Sequence, residues 1–174
     1  MIYYSQPYST EKDIGDYYNK AMGLLKPNDW MVFTDGDTIF TTPDYGSVID
    51  SAINKYGDGI YTCYTNRVGC NWQVYPAEWA DDDYSKHRQV GNTLRLCYYD
   101  ECEEHTTSQL MSGHCIIVSK KVWDKIGGCK NGILGVDNDI HMKAQKHKIP
   151  VRLIKGLYVY HWYRGGKDDK SHLE

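Results

Sequence analysis

Two hydrophobic rhythms alternate along the first 65 residues. Trp30, Met31, Val32, Phe33 and Thr34 are bulky or β-branched and carry no charge, the pattern of a strand covered on both faces. Ahead of it, residues 2–8 read as a first strand that breaks at Pro7. Thr10 offers an N-cap with Asp13 three residues on, in the manner of a capping box, and opens a helix over 11–25. Ile14, Tyr17, Tyr18, Ala21, Met22 and Leu25 give that helix one apolar face, and Pro27 stops it. Thr42 as cap, Pro43 at the first helical position and Asp44 in the first turn announce a second helix. Its buried face is Val48, Ile49, Ala52, Ile53 and Tyr56, and Gly57 ends it before a third strand over 59–65. Strand, helix, strand, helix, strand is the opening of a parallel α/β domain.

Residues 66–109 lose this regularity and read as a polar stretch with scattered aromatics, either irregular packing over the sheet or a functional flap. The pattern returns with a strand over 114–118 and a short helix capped by Ser119, containing Val122, Trp123 and Ile126 and closed by Gly127 and Gly128. A helix over 140–148 follows, stopped before Pro150. Two closing strands, 151–154 and 157–162, complete the chain, with His161 near the end of the second.

The 174 residues suffice for one domain with a sizeable core and are too few for two. A net charge of -3 gives no support for a nucleic-acid partner, which would show a basic excess. Tyr 16 and Trp 5 against Phe 2 supply aromatics with a polar edge, suited to nucleotides and sugars and equally to half-buried packing. Six cysteines without paired CxxC spacing read as reduced, mostly buried thiols rather than disulfides or zinc ligands. With no basic and apolar leader and no run of eighteen apolar residues, the expectation is a cytoplasmic chain, either free or peripheral at the membrane.

The chemistry centres on Asp35-Gly36-Asp37, where the central strand delivers two carboxylates to its carboxyl end, the place where ligands bind in open α/β sheets. Like charges held together favour a cation between them, and hard oxygen donors favour Mg2+ or Mn2+, which in turn hold phosphates. The plainer reading is a turn, since Asp-Gly is a common turn dipeptide.

Four stretches in order resemble a known family. Trp30-Met-Val-Phe-Thr-Asp-Gly-Asp-Thr38 resembles the DxD strand of nucleotide-sugar glycosyltransferases of the GT-A fold, nearest the family 2 enzymes and the β-galactosyltransferase branch. Ser112-Gly-His through Gly128 resembles their donor and acceptor strand with its helix. Gly135-Val-Asp-Asn-Asp139 resembles the acidic helix start, and Tyr158-Val-Tyr-His161 the closing strand with its metal-binding histidine. The resemblance departs at Val136, where the family has Glu, and in an unusually short amino-terminal half.

What the resemblance implies is an α/β fold of a single GT-A-type domain over 1–172, with a mostly parallel mixed sheet flanked by helices. Residues 1–65 would form the nucleotide and metal half, 66–109 a variable middle, 110–164 the acceptor and catalytic half, and 165–174 a tail. The expected activity is metal-dependent transfer, with inversion, from a nucleoside diphosphate sugar, a UDP-sugar by expectation, to a hydroxyl on a glycan or lipid-linked acceptor. Asp37 and His161 would hold Mn2+ or Mg2+, with Asp35 touching the metal shell or the nucleotide ribose. Pro7, Tyr8 and Asn19 would complete the nucleotide site, and Gly113, His114 and Trp162 would meet the sugars, with Arg164 and Lys167 following. Asp137 would act as general base, though it stands at a helix start where Asp137, Asn138 and Asp139 are all favoured as caps. Rival readings are a nucleotide- or glycan-binding module of the same fold without turnover, and a sugar-nucleotide pyrophosphorylase. The second lacks the Gly-rich phosphate loop expected after the first strand. A homo-oligomer or larger assembly is left open.

Overall fold

The computed structural model describes residues 1–75, 81–105 and 108–162. The described residues form an α/β domain of seven strands and five α-helices: β1 (Ile2–Ser5), α1 (Ile14–Gly23), β2 (Trp30–Thr34), β3 (Thr38–Phe40), α2 (Tyr45–Tyr56), β4 (Ile60–Thr65), α3 (Tyr84–Tyr98), β5 (Cys102–Glu104), β6 (Cys115–Ser119), α4 (Lys120–Ile126), α5 (Val136–Lys146) and β7 (Val151–His161). The sheet order is β1-β2-β6-β4-β7-β3, with β5 also on β7. The sheet is mixed, but by pairing it is not mostly parallel. β1 with β2 and β4 with β7 are parallel, whereas β2 with β6, β4 with β6, β3 with β7 and β5 with β7 are antiparallel. The cause is β6, which runs backwards between two forward strands, together with the two short strands that share the far side of β7.

β2 spans the uncharged run expected of it, and its side chains divide between two cores as a strand buried on both faces must. Met31 and Phe33 join Tyr18 and Met22 of α1, Trp123 of α4 and Ile140 of α5 in one cluster. Val32 faces the other way, onto Val48, Ile49 and Ala52 of α2 with Ile117 and Val159. Phe33 is wholly buried, and a side chain of that size contributes roughly 1.5–3 kcal/mol on leaving water.

Several element boundaries move, among them the start of α5, which lies at Val136 rather than 140. β1 stops at Ser5, before the Pro7 expected to end it. α1 begins at Ile14 because Asp13, not Thr10, is the cap: its Oδ1 accepts from the Asp16 N–H at 2.9 Å and from the Gly132 N–H at 2.8 Å. α2 begins at Tyr45 with Asp44, not Thr42, at the cap position, where its carboxylate pairs with Arg95 and makes no capping bond. The two closing strands are one. β7 runs unbroken through Lys155 and Gly156, and a bulge opposite Cys63 and Tyr64 absorbs the extra residues.

The largest addition lies in the middle segment, which holds the fifteen-residue α3. Asp83 caps it, accepting from the Ser85 N–H at 2.9 Å. Its buried positions are His87, Gly91 and Leu94, which are helically spaced but include one aliphatic side chain. It packs on β7 through polar atoms, His87 Nδ1 lying 2.8 Å from the Tyr158 hydroxyl. A turn brings the chain back over Gly156, where a Cβ would stand 1.9 Å from the Tyr99 carbonyl oxygen, so only glycine admits that approach.

All six cysteines are free thiols, four of them buried. Burial pushes Cys102 and Cys129 up to about 12, which leaves them unreactive. Among the described residues no helix is long and apolar enough to cross a membrane.

Candidate metal and substrate site

Because β2, β4 and β7 run the same way, their carboxyl ends gather at one edge, and the reversed β6 starts there too. Asp35 follows β2 directly, with its N–H donating to the His114 carbonyl at 3.1 Å. The chain then turns through Gly36 and Asp37 into β3. Thr38 closes that turn, donating its N–H at 3.2 Å and its hydroxyl at 2.7 Å to the Asp35 carbonyl. The two readings of Asp-Gly-Asp are therefore compatible: it is a turn, and the turn aims both carboxylates at one point.

That point is His161. Its Nε2 lies 3.1 Å from Asp37 Oδ1 and 3.9 Å from Asp35 Oδ2, although the histidine is more than a hundred residues further along the chain. One atom from each of the three residues falls within 4.8 Å of the others, a set that could hold a metal ion. β3 pairs Thr38 with His161, and the Trp162 N–H donates to the Asp37 carbonyl at 2.9 Å, so main chain on both sides fixes the contact. Two carboxylates and an imidazole are an ordinary donor set for Mn2+. Desolvation raises the Asp35 carboxyl to about 6, with His161 opposing the rise and Asp37 and Asp137 adding to it. A cation at this point would offset that crowding of negative charge.

Beside the cluster lies a recess of about 310 Å3, walled by Asp35, Gly113 and Asp137 on its polar side and by Pro7, Tyr18 and Leu134 on its apolar side. The loop that carries Leu134 is pinned against α1. The Gly15 N–H donates to the Gly132 carbonyl at 3.0 Å, and a Cβ on Gly15 would stand 1.9 Å from the Lys130 oxygen.

The acids at the start of α5 divide their work. Asp139 is structural, its Oδ2 accepting from the Lys130 N–H at 2.7 Å and pairing with Lys143 at 2.9 Å. Asp137 faces the recess, with Oδ2 accepting from the Gly113 N–H at 3.0 Å and Oδ1 from the Asn138 N–H at 2.8 Å.

Not every expected site residue arrives. His114 is buried beneath the cluster rather than open to a sugar, and burial drives its pKa down to about 3. Its Nε2 N–H donates to the Cys63 carbonyl at 3.2 Å, and its ring stacks near His161 with centroids 6.1 Å apart. Asn19 does not line the recess. It clasps the loop after α4, donating to the Cys129 carbonyl at 2.8 Å and accepting from the Cys129 N–H at 3.1 Å. Tyr8 is exposed and stands outside the recess wall, whereas Pro7 lines it. Trp162 adjoins the cluster with its ring half exposed. Arg164 and Lys167 lie outside the described residues.

Three residues join those expected from sequence: Tyr18, Leu134 and Asn66. Tyr18, assigned there only to an apolar helix face, lines the recess, and burial with Asp35 and Asp137 nearby holds its phenol well above the usual range. Asn66, at the end of β4, is fully buried and hydrogen-bonds to the His161 backbone. Helical spacing was the signal for Tyr18; none existed for Asn66. Neither protein-family models nor curated proteins give a match to this chain.

Proposed function

We propose that the chain is a metal-dependent glycosyltransferase of GT-A type, moving a sugar from a nucleoside diphosphate donor, a UDP-sugar, to a hydroxyl acceptor with inversion. The observation that carries this reading is the meeting of Asp35, Asp37 and His161 beside a recess that ends at Asp137. Asp37 and His161 would hold Mn2+ or Mg2+ with Asp35 completing the set, and the ion would neutralise charge growing on the departing diphosphate. Asp137, across the recess, would take the proton of the acceptor hydroxyl as its oxygen bonds to the anomeric carbon and the bond to the diphosphate breaks. Tyr18 and Leu134 would exclude water from the apolar wall, and Pro7 would border the base. A glycan or lipid-linked acceptor is the class that the sequence resemblance suggests.

A second reading, binding without turnover, draws on the two backbone N–H groups that already occupy Asp137. Thermal-shift screening of nucleotide sugars with and without Mn2+ tests the site, since a ligand of the native state raises apparent stability. A shift that requires both Mn2+ and a UDP-sugar is expected, and no shift with any pair removes the proposal. Asp137→Asn then separates the two readings: donor binding should persist while transfer falls by about 10²–10⁴-fold. Unchanged transfer would remove Asp137 from the mechanism.

A further inference from the structure

We propose that Asn66 is a positioning residue for metal binding at His161, an inference that rests on the metal-site reading above. The parallel pairing of β4 with β7 ends at Thr65 opposite Val159. Beyond it the main chain of β4 supplies no further ladder partner in that register, and the Asn66 side chain takes its place. Its Oδ1 accepts from the His161 N–H at 2.7 Å, and its Nδ2 donates to the His161 carbonyl at 3.2 Å. Both bonds fall on one residue, so the amide fixes the peptide planes on either side of the His161 Cα. On the opposite side of β7, Thr38 of β3 pairs with the same histidine.

His161 is thus held by its backbone from both flanks, which sets the direction in which its imidazole leaves the strand. That direction is what brings Nε2 to 3.1 Å from Asp37. Few side chains could do this. A carboxylate would set an oxygen against the His161 carbonyl, a serine is too short to reach both groups, and an aliphatic chain would leave both unpaired. Asn66 is wholly buried and is not among the residues that line the recess, and both ends of its amide bond to the His161 backbone, which is its route to the site.

Gln73 provides the comparison. It is an equally buried amide whose bonds, to the Thr62 hydroxyl at 2.7 Å and to the Ser112 N–H at 2.7 Å and carbonyl at 3.1 Å, do not touch the cluster. Loss of Gln73 should loosen the fold without turning His161. Loss of Asn66 should weaken the ion, because partners that orient a metal ligand typically change affinity by about 10–100-fold when removed.

The test titrates Mn2+ into the full chain and reads the free ion by electron paramagnetic resonance, for the wild type, Asn66→Ser, Asn66→Asp and Gln73→Ala. Melting in EDTA reports the fold of each. Wild type should bind, and Asn66→Ser should bind about 10–100-fold more weakly. Asn66→Asp should also bind more weakly, although its added negative charge alone would tighten a cation. That opposition of sign keeps the test decisive if the serine variant does not fold. Gln73→Ala should melt lower yet keep the wild-type Kd. A folded Asn66 variant that binds as well as wild type or better, or a Gln73→Ala chain weakened as much as Asn66→Ser, overturns the positioning role alone. A wild-type chain that binds no Mn2+ overturns the metal site on which it rests.

Discussion

Replacing Asp35 by Asn should stabilise the protein in EDTA and destabilise it, relative to wild type, once Mn2+ is supplied. Desolvation, with Asp37 and Asp137 nearby, raises the Asp35 carboxyl from its ordinary 3.8 to about 6 against the pull of His161. A carboxyl whose folded pKa lies above its unfolded value holds its proton more tightly in the native state. Its contribution is therefore full below the unfolded value and is lost as pH rises through about 6. The whole shift would be worth about 3 kcal/mol at 1.36 kcal/mol per pKa unit. The side chain is 45% exposed, however, and solvent screening leaves about 1 kcal/mol of native-state cost at neutral pH. An amide carries no such cost, so Asp35→Asn should gain about that much in EDTA above pH 7 and nothing near pH 4.

Mn2+ reverses the order. At a hundred times Kd it should add about 2.7 kcal/mol to the wild type, and little to a variant that has lost one of three donors. Urea denaturation followed by far-UV circular dichroism, with EDTA and with Mn2+, measures all four stabilities. If Asp35→Asn is less stable than wild type in EDTA at neutral pH, the crowding of charge described here is wrong. If Mn2+ moves both chains equally, Asp35 is no part of the ion's shell.

Three further outcomes follow from packing and protonation. His141 is buried and its Nδ1 accepts from the Met111 N–H at 2.9 Å, and desolvation with His105 nearby lowers it from 6.5 to about 4. A histidine depressed in this way favours the native state fully above 6.5, and stability should fall by up to about 3 kcal/mol as pH drops towards 4. His141→Gln should flatten that limb of the stability profile, and an unchanged limb would assign it to other groups. Gly156→Ala would force a Cβ against the Tyr99 carbonyl, so a loss on the order of 3 kcal/mol in urea is expected. A neutral substitution would mean that the turn after α3 can shift off β7. Asp137→Asn should leave the Mn2+ affinity near wild type, because Asp137 is not one of the three residues that would hold the ion, and a Kd weakened tenfold or more would draw it into the ion's shell.

Where burial is carried by apolar side chains, the sequence was legible. β2, α1, α2, β4, β6 and α4 each carry a hydrophobic stripe or run that names them, and the caps Ser119 and Gly127 stand where expected. α3 escaped because His87 and Gly91 occupy two of its three buried positions and hydropathy does not register them. The run that forms β7 reads as two strands because a polar residue beside glycine, Lys155 and Gly156, has the pattern of a turn. In the fold that glycine serves instead to admit Tyr99.

The site divides in the same way. The residue types alone put Asp35 and Asp37 at the end of a buried strand, since hydrophobic burial ends where charge begins. They could not determine what those carboxylates meet. Sequence order holds His161 far from Asp37, and only strand pairing, Thr38 opposite His161, brings the two within 3.1 Å. The same long-range pairing buries His114, because a side chain's neighbours across a sheet are set by register and not by its own chemistry, while the packing of α1 against the loop after α4 engages Asn19 with the Cys129 backbone.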